Sequence, residues 1–253
     1  MSSYYNDNDK HCVAWLKELI ASGLIPPGDV DNRSITDVKA SELKGYNQCH
    51  FFAGIGGWPY ALELAGWHPD RHVWTGSCPC QPLSVAGVRQ GELDERHLWP
   101  HFARLIRDGD PPVVFGEQVA SKDGREWLSG VRSDLEAMGY AVGAGIIAAN
   151  IIGAHHERKR LYWVADSMCQ GWKGYQHNNS AFSGKKEAQP INSDSFIRAR
   201  NIMEGNTTGL LLDDGLSIGM ARSAVKGYGN AIVPQVAAEF VKAFMETEGI
   251  NGL

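Results

Sequence analysis

Gln48-Cys49-His50-Phe51-Phe52-Ala53-Gly54-Ile55-Gly56-Gly57 is the stretch that decides the fold. Residues 48–52 have the length and apolar content of a buried strand. They run into a glycine-dense turn, and a helix through Tyr60, Leu62, Leu64 and Ala65 follows, stopped by Gly66. Strand, glycine turn and helix together bring backbone N–H groups and a helix N-terminus against a nucleotide-like ligand. Glycine turns also serve purely structural ends, so this stretch sets the local fold and leaves its ligand open.

The same alternation continues outward. Apolar residues at Val13, Leu16, Leu19 and Ile20 give a helix over residues 10–22, ended by Gly23 and Pro26-Pro27-Gly28. A β-like run, Arg71 to Thr75, leads into Gly76-Ser77-Cys78-Pro79-Cys80-Gln81-Pro82-Leu83-Ser84. The prolines and small residues of that segment describe a rigid loop at a strand end. Leu98 to Ile106 has helical character, and Pro111 to Phe115 forms a further strand with Glu117 just past it. Trp127 to Met138 is an amphipathic helix, Ala141–Ala149 a strand, and His155 to Val164 a run in which Arg158 and Arg160 alternate onto one face. A final helix spans Gln235 to Met245.

Strand and helix in alternation predict an α/β fold with a mostly parallel sheet. From about Asp166 to Asp214 the apolar periodicity fades into Asn, Ser, Gly, Gln and Lys. Three segments follow: an α/β domain over 1–165, a small irregular lobe over 166–214, and a return to the first domain over 215–253.

A chain of 253 residues can bury one substantial core. No apolar run has the length of a membrane span, Ser2 to Lys10 is too polar for a signal peptide, and five cysteines without a framework fit a reducing compartment. A cytoplasmic monomer is the expectation, with no membrane partner. The net charge of −5 argues against a surface that is basic throughout. Charge is nonetheless uneven: residues 151–200 hold eight Lys/Arg against four Asp/Glu, and residues 1–50 five against seven. Any nucleic-acid contact belongs to the later half. Cys78 and Cys80 with His72 make a poor zinc site, because no second pair stands at ligand spacing, and no metal is expected. Cys78 and Cys80 each remain readable as a reactive thiol or a buried filler.

In this order, the motifs resemble those of the cytosine-5 DNA methyltransferases. Phe52-Ala53-Gly54-Ile55-Gly56-Gly57 looks like the cofactor motif, Pro79-Cys80-Gln81 like the catalytic loop, and Glu117-Gln118-Val119 like Glu-Asn-Val with Gln118 in place of Asn. Arg158-Lys159-Arg160 is similar to the family's Arg-x-Arg, with His156 where a glutamine usually leads, and Gly229-Asn230 resembles the late Gly-Asn motif. The resemblance implies a Rossmann-like fold of the S-adenosylmethionine-dependent methyltransferase type, with residues 166–214 as the target-recognition lobe.

It also implies roles. Cys80 is the nucleophile, Glu117 the acid at ring nitrogen 3, and Arg160, supported by Arg158, the ligand of the base carbonyl and nearby phosphate. Residues 52–57 and Asn230 bind S-adenosylmethionine. The partner is double-stranded DNA, from which cytosine must be flipped. Residues 81–97 would close over the base, and Lys185, Lys186, Arg198 and Arg200 would reach phosphates. The resemblance fits a bacterial enzyme or a phage-encoded one in a bacterial host, with a restriction–modification pair as one setting. The alternatives are an RNA cytosine-5 methyltransferase and an inert DNA-binding module of the same fold. Asp110-Pro111-Pro112-Val113 is a poor match to the amino-methyltransferase motif, because Val113 cannot stack on a base.

One departure is informative. The family usually carries two more strands, with acidic cofactor ligands, between the glycine turn and the cysteine. Only Trp58 to Gly76 intervenes here, enough for one helix and one strand. Tyr4-Tyr5-Asn6-Asp7 and Pro27-Gly28-Asp29-Val30 resemble the missing pieces, displaced to the start of the chain. A permuted order then gives Asp7 the ribose hydroxyls and Asp29 the adenine amine. Because βαβ crossovers are right-handed in the great majority of cases, a direct link from glycine strand to cysteine strand predicts that helix 58–66 moves to the opposite face from its usual one.

Overall fold

A computed structural model describes residues 2–79, 98–154, 158–168 and 232–247. Its strands are β1 (Ser2–Asn6), β2 (Gly28–Asp31), β3 (Tyr46–Phe51), β4 (Val73–Gly76), β5 (Val113–Val119), β6 (Ala141–Ala148) and β7 (Lys159–Asp166). The helices are α1 (Lys10–Ala21), α2 (Gly57–Ala65), α3 (Trp99–Gly109), α4 (Lys122–Ala137) and α5 (Pro234–Thr247). Short 3-10 turns occupy Ala40–Leu43 and Ala149–Ile152. The strands form one sheet in the order β2-β1-β3-β4-β5-β7-β6, parallel from β2 to β5, with β7 antiparallel to both of its neighbours. Among the described residues no helix is long and apolar enough to cross a membrane.

The expected elements are present, with shifted ends. β5 continues through Glu117 and Gln118 because its antiparallel pairing with β7 persists to Val119 opposite Arg160. Glu117 therefore sits inside the strand end. α4 begins at Lys122, well before Trp127, because Ser121 caps it with Oγ accepting the Gly124 N–H at 2.9 Å. The lobe expected over 166–214 lies outside the described residues from 169 onward.

Alternation along the strands builds two apolar layers. Tyr5, His50, Thr75 and Phe115 are in register across the sheet and share one face. α1 covers that face through Leu16, and α2 and α5 through Trp58, Ala61, Leu62, Val236 and Val241. Tyr4, Cys49, Trp74 and Val114 face the other way, under α3 and α4 with Phe102, Leu105, Val131 and Leu135. Fully burying side chains of the size of Leu62 or Phe102 stabilises by about 1.5–3 kcal/mol each.

This placement overturns the expected position of the helix after the glycine turn. β3 to β4 and β4 to β5 step the same way across the sheet, yet α2 stacks on Phe115 through Trp58 and α3 packs on Phe51 through Phe102, on opposite faces. The step from β1 to β2 runs the other way, and α1 lies on the same face as α2. The β1–α1–β2 and β4–α3–β5 crossovers thus share a hand, and β3–α2–β4 has the opposite one. With the prevalent right-handed sense for the agreeing pair, β3–α2–β4 is left-handed. Local packing outweighs the crossover preference: Trp58, Ala61, Leu62 and Ala65 are buried against Phe115, Tyr162 and α5.

Gly116 marks the tightest packing beside Glu117. A Cβ there would lie 2.2 Å from the Trp163 indole, its cross-strand partner on β7. Gly116→Ala is expected to destabilise the fold by about 1–3 kcal/mol through overpacking, read as a lowered urea midpoint with unchanged slope.

Candidate active site

The carboxyl ends of β1 to β5 and the start of β7 meet at one edge of the sheet, where ligands bind in open α/β folds. At its centre the chain leaves β3 through a contorted turn. Phe52, Gly54 and Gly56 all have positive φ, at 52°, 55° and 82°. Glycine takes that region without penalty, whereas Phe52 holds it at a steric cost.

Asp7, just past β1, braces the turn. Its Oδ2 accepts the Gly54 N–H at 2.8 Å and its Oδ1 accepts the Asp9 N–H at 2.9 Å. The Ala53 N–H also donates to the Asn6 carbonyl at 3.0 Å, so two segments 47 residues apart form one surface. Burial raises the Asp7 pKa, and the two N–H donors work against that rise.

Asp29 does not join Asp7 at the turn. It pairs with Tyr4 inside β2, two residues before the strand end, is exposed, and accepts the Tyr46 hydroxyl at 2.6 Å. It lines an open depression of about 400 Å³ together with Tyr4, Asp31, Arg33, Glu42 and Tyr46. Asp31, not singled out from sequence, stands at the strand end: its carbonyl accepts the Asp7 N–H at 3.2 Å, and its carboxylate is held by Arg33 and the Tyr4 hydroxyl.

Glu117 and Arg160 form an ion pair of 2.7 Å, Nε to Oε1. The register explains it: Glu117 faces Tyr162, and Arg160 is two residues before Tyr162 on β7, on the same face. Glu117 is 8 % exposed. Burial pushes its pKa up to about 7, over the opposing pull of the Arg160 and Arg158 guanidiniums. The pair therefore holds a carboxyl poised to exchange a proton near neutrality. Burial, with the Arg160 charge second, lowers the Arg158 pKa.

The strand-to-loop junction after β4 is fixed from both sides. The Trp58 indole N–H donates to Ser77 Oγ at 2.9 Å. Gln118 Nε2 donates to the Cys78 carbonyl at 3.4 Å, while Gln118 Oε1 accepts the Val119 N–H at 2.9 Å. Cys78 is 5 % exposed, and burial raises its thiol pKa, which suits a filler and not a nucleophile. Cys80, Asn230, His156, residues 81–97 and the lysines and arginines of the expected lobe lie outside the described residues. The sequence reading missed Trp58, Ser77 and Asp31. An aromatic one residue into a helix reads as core, and nothing in its spacing tells that its N–H reaches another loop.

A family model described as C-5 cytosine-specific DNA methylase matches residues 68–214. The match begins after the glycine turn. Type II methyltransferase M.HhaI of Haemophilus parahaemolyticus is 27% identical over 167 residues, 51% of this chain and 51% of that protein. Type II methyltransferase M.AplI of Arthrospira platensis is 34% identical over 107 residues, 42% of this chain and 30% of that one. The chain thus spans about half the length of these relatives, or less. The crystal structure of S. pombe Dnmt2 methyltransferase superposes with a TM-score of 0.54 at 12% identity, over 98% of this chain and 99% of that one, a likeness of fold. With more than half of its residues inside the family match, the chain belongs to the C-5 cytosine-specific DNA methylases.

Proposed function

We propose that the protein is a DNA (cytosine-5) methyltransferase that uses S-adenosylmethionine and a covalent cysteine adduct. The Glu117–Arg160 pair, at the same sheet edge as the glycine turn, carries this reading. It pairs a buried acid near neutral pKa with a fixed cation at the edge where the Cys78-Pro79 junction arrives.

The turn fits the cofactor. Gly54 and Gly56 take the positive φ that turns the chain into the N-terminus of α2, and Asp7 retains lone pairs for hydroxyl donors beside Gly54. S-adenosylmethionine, when bound, supplies an electrophilic methyl group. Residues 52–57 would hold it, with Asp7 at the ribose, Asp29 from the neighbouring depression at the adenine amine, and Asn230 returning to it. Asp7→Ala is expected to weaken S-adenosylmethionine binding about 10- to 100-fold, the scale of a charged hydrogen bond, as measured by equilibrium dialysis.

The remaining chemistry belongs to side chains. Cytosine carbon 5 is a poor nucleophile. The Cys80 thiolate adds to carbon 6 and makes the ring an enamine, nucleophilic at carbon 5. Glu117 gives its proton to ring nitrogen 3 as the thiolate attacks, so charge does not build on the ring. Arg160 holds the base carbonyl and Arg158 assists at the phosphate. Carbon 5 then takes up the methyl group, a base accepts the carbon-5 proton as the thiolate leaves, and nitrogen 3 returns its proton to Glu117.

DNA is preferred over RNA because both curated relatives described above are named Type II methyltransferases and the matching family is described as a DNA methylase. A bacterial restriction–modification or phage setting and a cytoplasmic location accord with the same names. Incubation with labelled S-adenosylmethionine and parallel DNA and RNA substrates tests the assignment: label in DNA supports it, and label confined to RNA refutes it.

A further inference from the structure

We propose that Trp58 is a positioning residue that ties the glycine turn to the root of the cysteine loop through its hydrogen bond to Ser77, an inference that rests on the methyltransferase reading above. Trp58 follows the turn directly, as the second residue of α2, whose N-cap is the left-handed Gly56. It is 3 % exposed, stacks on Phe115 at 6.0 Å and meets Tyr162 edge-on at 6.3 Å. Both rings flank Glu117: Phe115 lies two residues before it on β5, and Tyr162 opposite it on β7. One indole therefore touches the strand that carries the acid, the strand that carries the arginine, and the cysteine-loop root.

The contact is directional. An indole offers a single donor, and with its ring packed on Phe115 and Tyr162 that donor reaches Ser77 Oγ at 2.9 Å. Gln118 holds the next residue, Cys78, by its carbonyl, with its own amide orientation set by the Val119 N–H. Ser77 and Cys78 are thus gripped from α2 on one side and β5 on the other. A serine at position 77 and an indole at position 58 are both required, since neither alanine nor phenylalanine can complete the bond. Misplacement of a reacting group by about 1 Å can cost on the order of 100-fold in rate, so a tether two and three residues before Cys80 bears on catalysis without touching substrate.

The test compares Trp58→Phe, Ser77→Ala and the double variant in the full chain. Phenylalanine keeps the stacking and removes only the donor, and alanine removes only the acceptor. Each single change is expected to lower the single-turnover methyl-transfer rate about tenfold, the scale of one hydrogen bond, with the S-adenosylmethionine KM within about twofold of wild type. The double variant should be no slower than either single one, because both remove the same bond. Amide exchange in the peptide spanning residues 73–79 should quicken in all three. Unchanged rates, a double variant whose loss is the product of the two single losses, or a loss that follows the melting temperature alone would overturn the proposal. A wild-type chain that transfers no methyl group would instead overturn the parent reading, and the exchange experiment would still decide the tether: unchanged exchange in the variants refutes it.

Discussion

Replacing Cys80 with alanine is expected to lower methyl transfer by more than about 10³-fold, the scale on which enzymes lose activity with their nucleophile. Folding and cofactor binding should survive. Without the thiolate, carbon 5 is not expected to become nucleophilic, and Cys78 is a poor substitute. Cys78 is two residues away in sequence but buried, with a thiol pKa raised by that burial. Cys78→Ala should therefore retain transfer, as Gln118 grips a main-chain carbonyl there and not the thiol. Stopped-time assays on both variants check this. Activity that survives Cys80→Ala and is lost in Cys78→Ala would identify the other sulfur as the nucleophile.

The second large effect concerns Glu117. Glu117→Gln keeps the shape and a hydrogen-bond donor but has no proton to transfer, and the rate should fall about 10²–10⁴-fold. The wild-type pH profile carries the same information. The folded-state pKa of about 7 lies above the ordinary carboxyl value of 4.5. The acid form needed at nitrogen 3 is thus present below about pH 7 and is lost as pH rises through it, giving an alkaline limb in kcat/KM. Glu117→Gln should lack that limb. Stability moves the same way: between 4.5 and about 7 the native state holds a proton that the unfolded chain has released. The contribution of Glu117 to stability therefore falls as pH rises across that window. Chemical denaturation at pH 5 and pH 8 measures it.

Much of this was legible in the residues. Short apolar runs marked the strands, because both faces of the sheet are covered, and period-3.6 patterning marked the helices, because burial on one face leaves that imprint. Glycines at 54 and 56 announced a turn with positive φ, although Phe52 sharing that region left no trace in its residue type. Asp7 was found from local resemblance, and its bond to Gly54 spans a separation that only strand pairing explains. Asp29 was placed by the same reasoning, and its bond to the Tyr46 hydroxyl is a tertiary contact that strand order does not reveal.

The face chosen by α2 was illegible for a different reason. The crossover rule describes how most chains connect strands, whereas here buried contacts of Trp58, Leu62 and Ala65 with Phe115, Tyr162 and α5 set the side. Likewise Ser121 extended α4 through a cap, a polar feature invisible to apolar periodicity. The Glu117–Arg160 pair lies between: each residue was singled out, but the 43-residue gap closes only because β7 runs antiparallel beside β5.

The most direct measurement of the proposed chemistry is transfer of labelled methyl from S-adenosylmethionine to double-stranded DNA, followed by bisulfite sequencing of the product. Label should enter DNA, and a subset of cytosines sharing a short sequence context should resist conversion, marking methylation at carbon 5. Labelled DNA whose cytosines all convert, or label found only in a parallel RNA substrate, would contradict a cytosine-5 DNA methyltransferase.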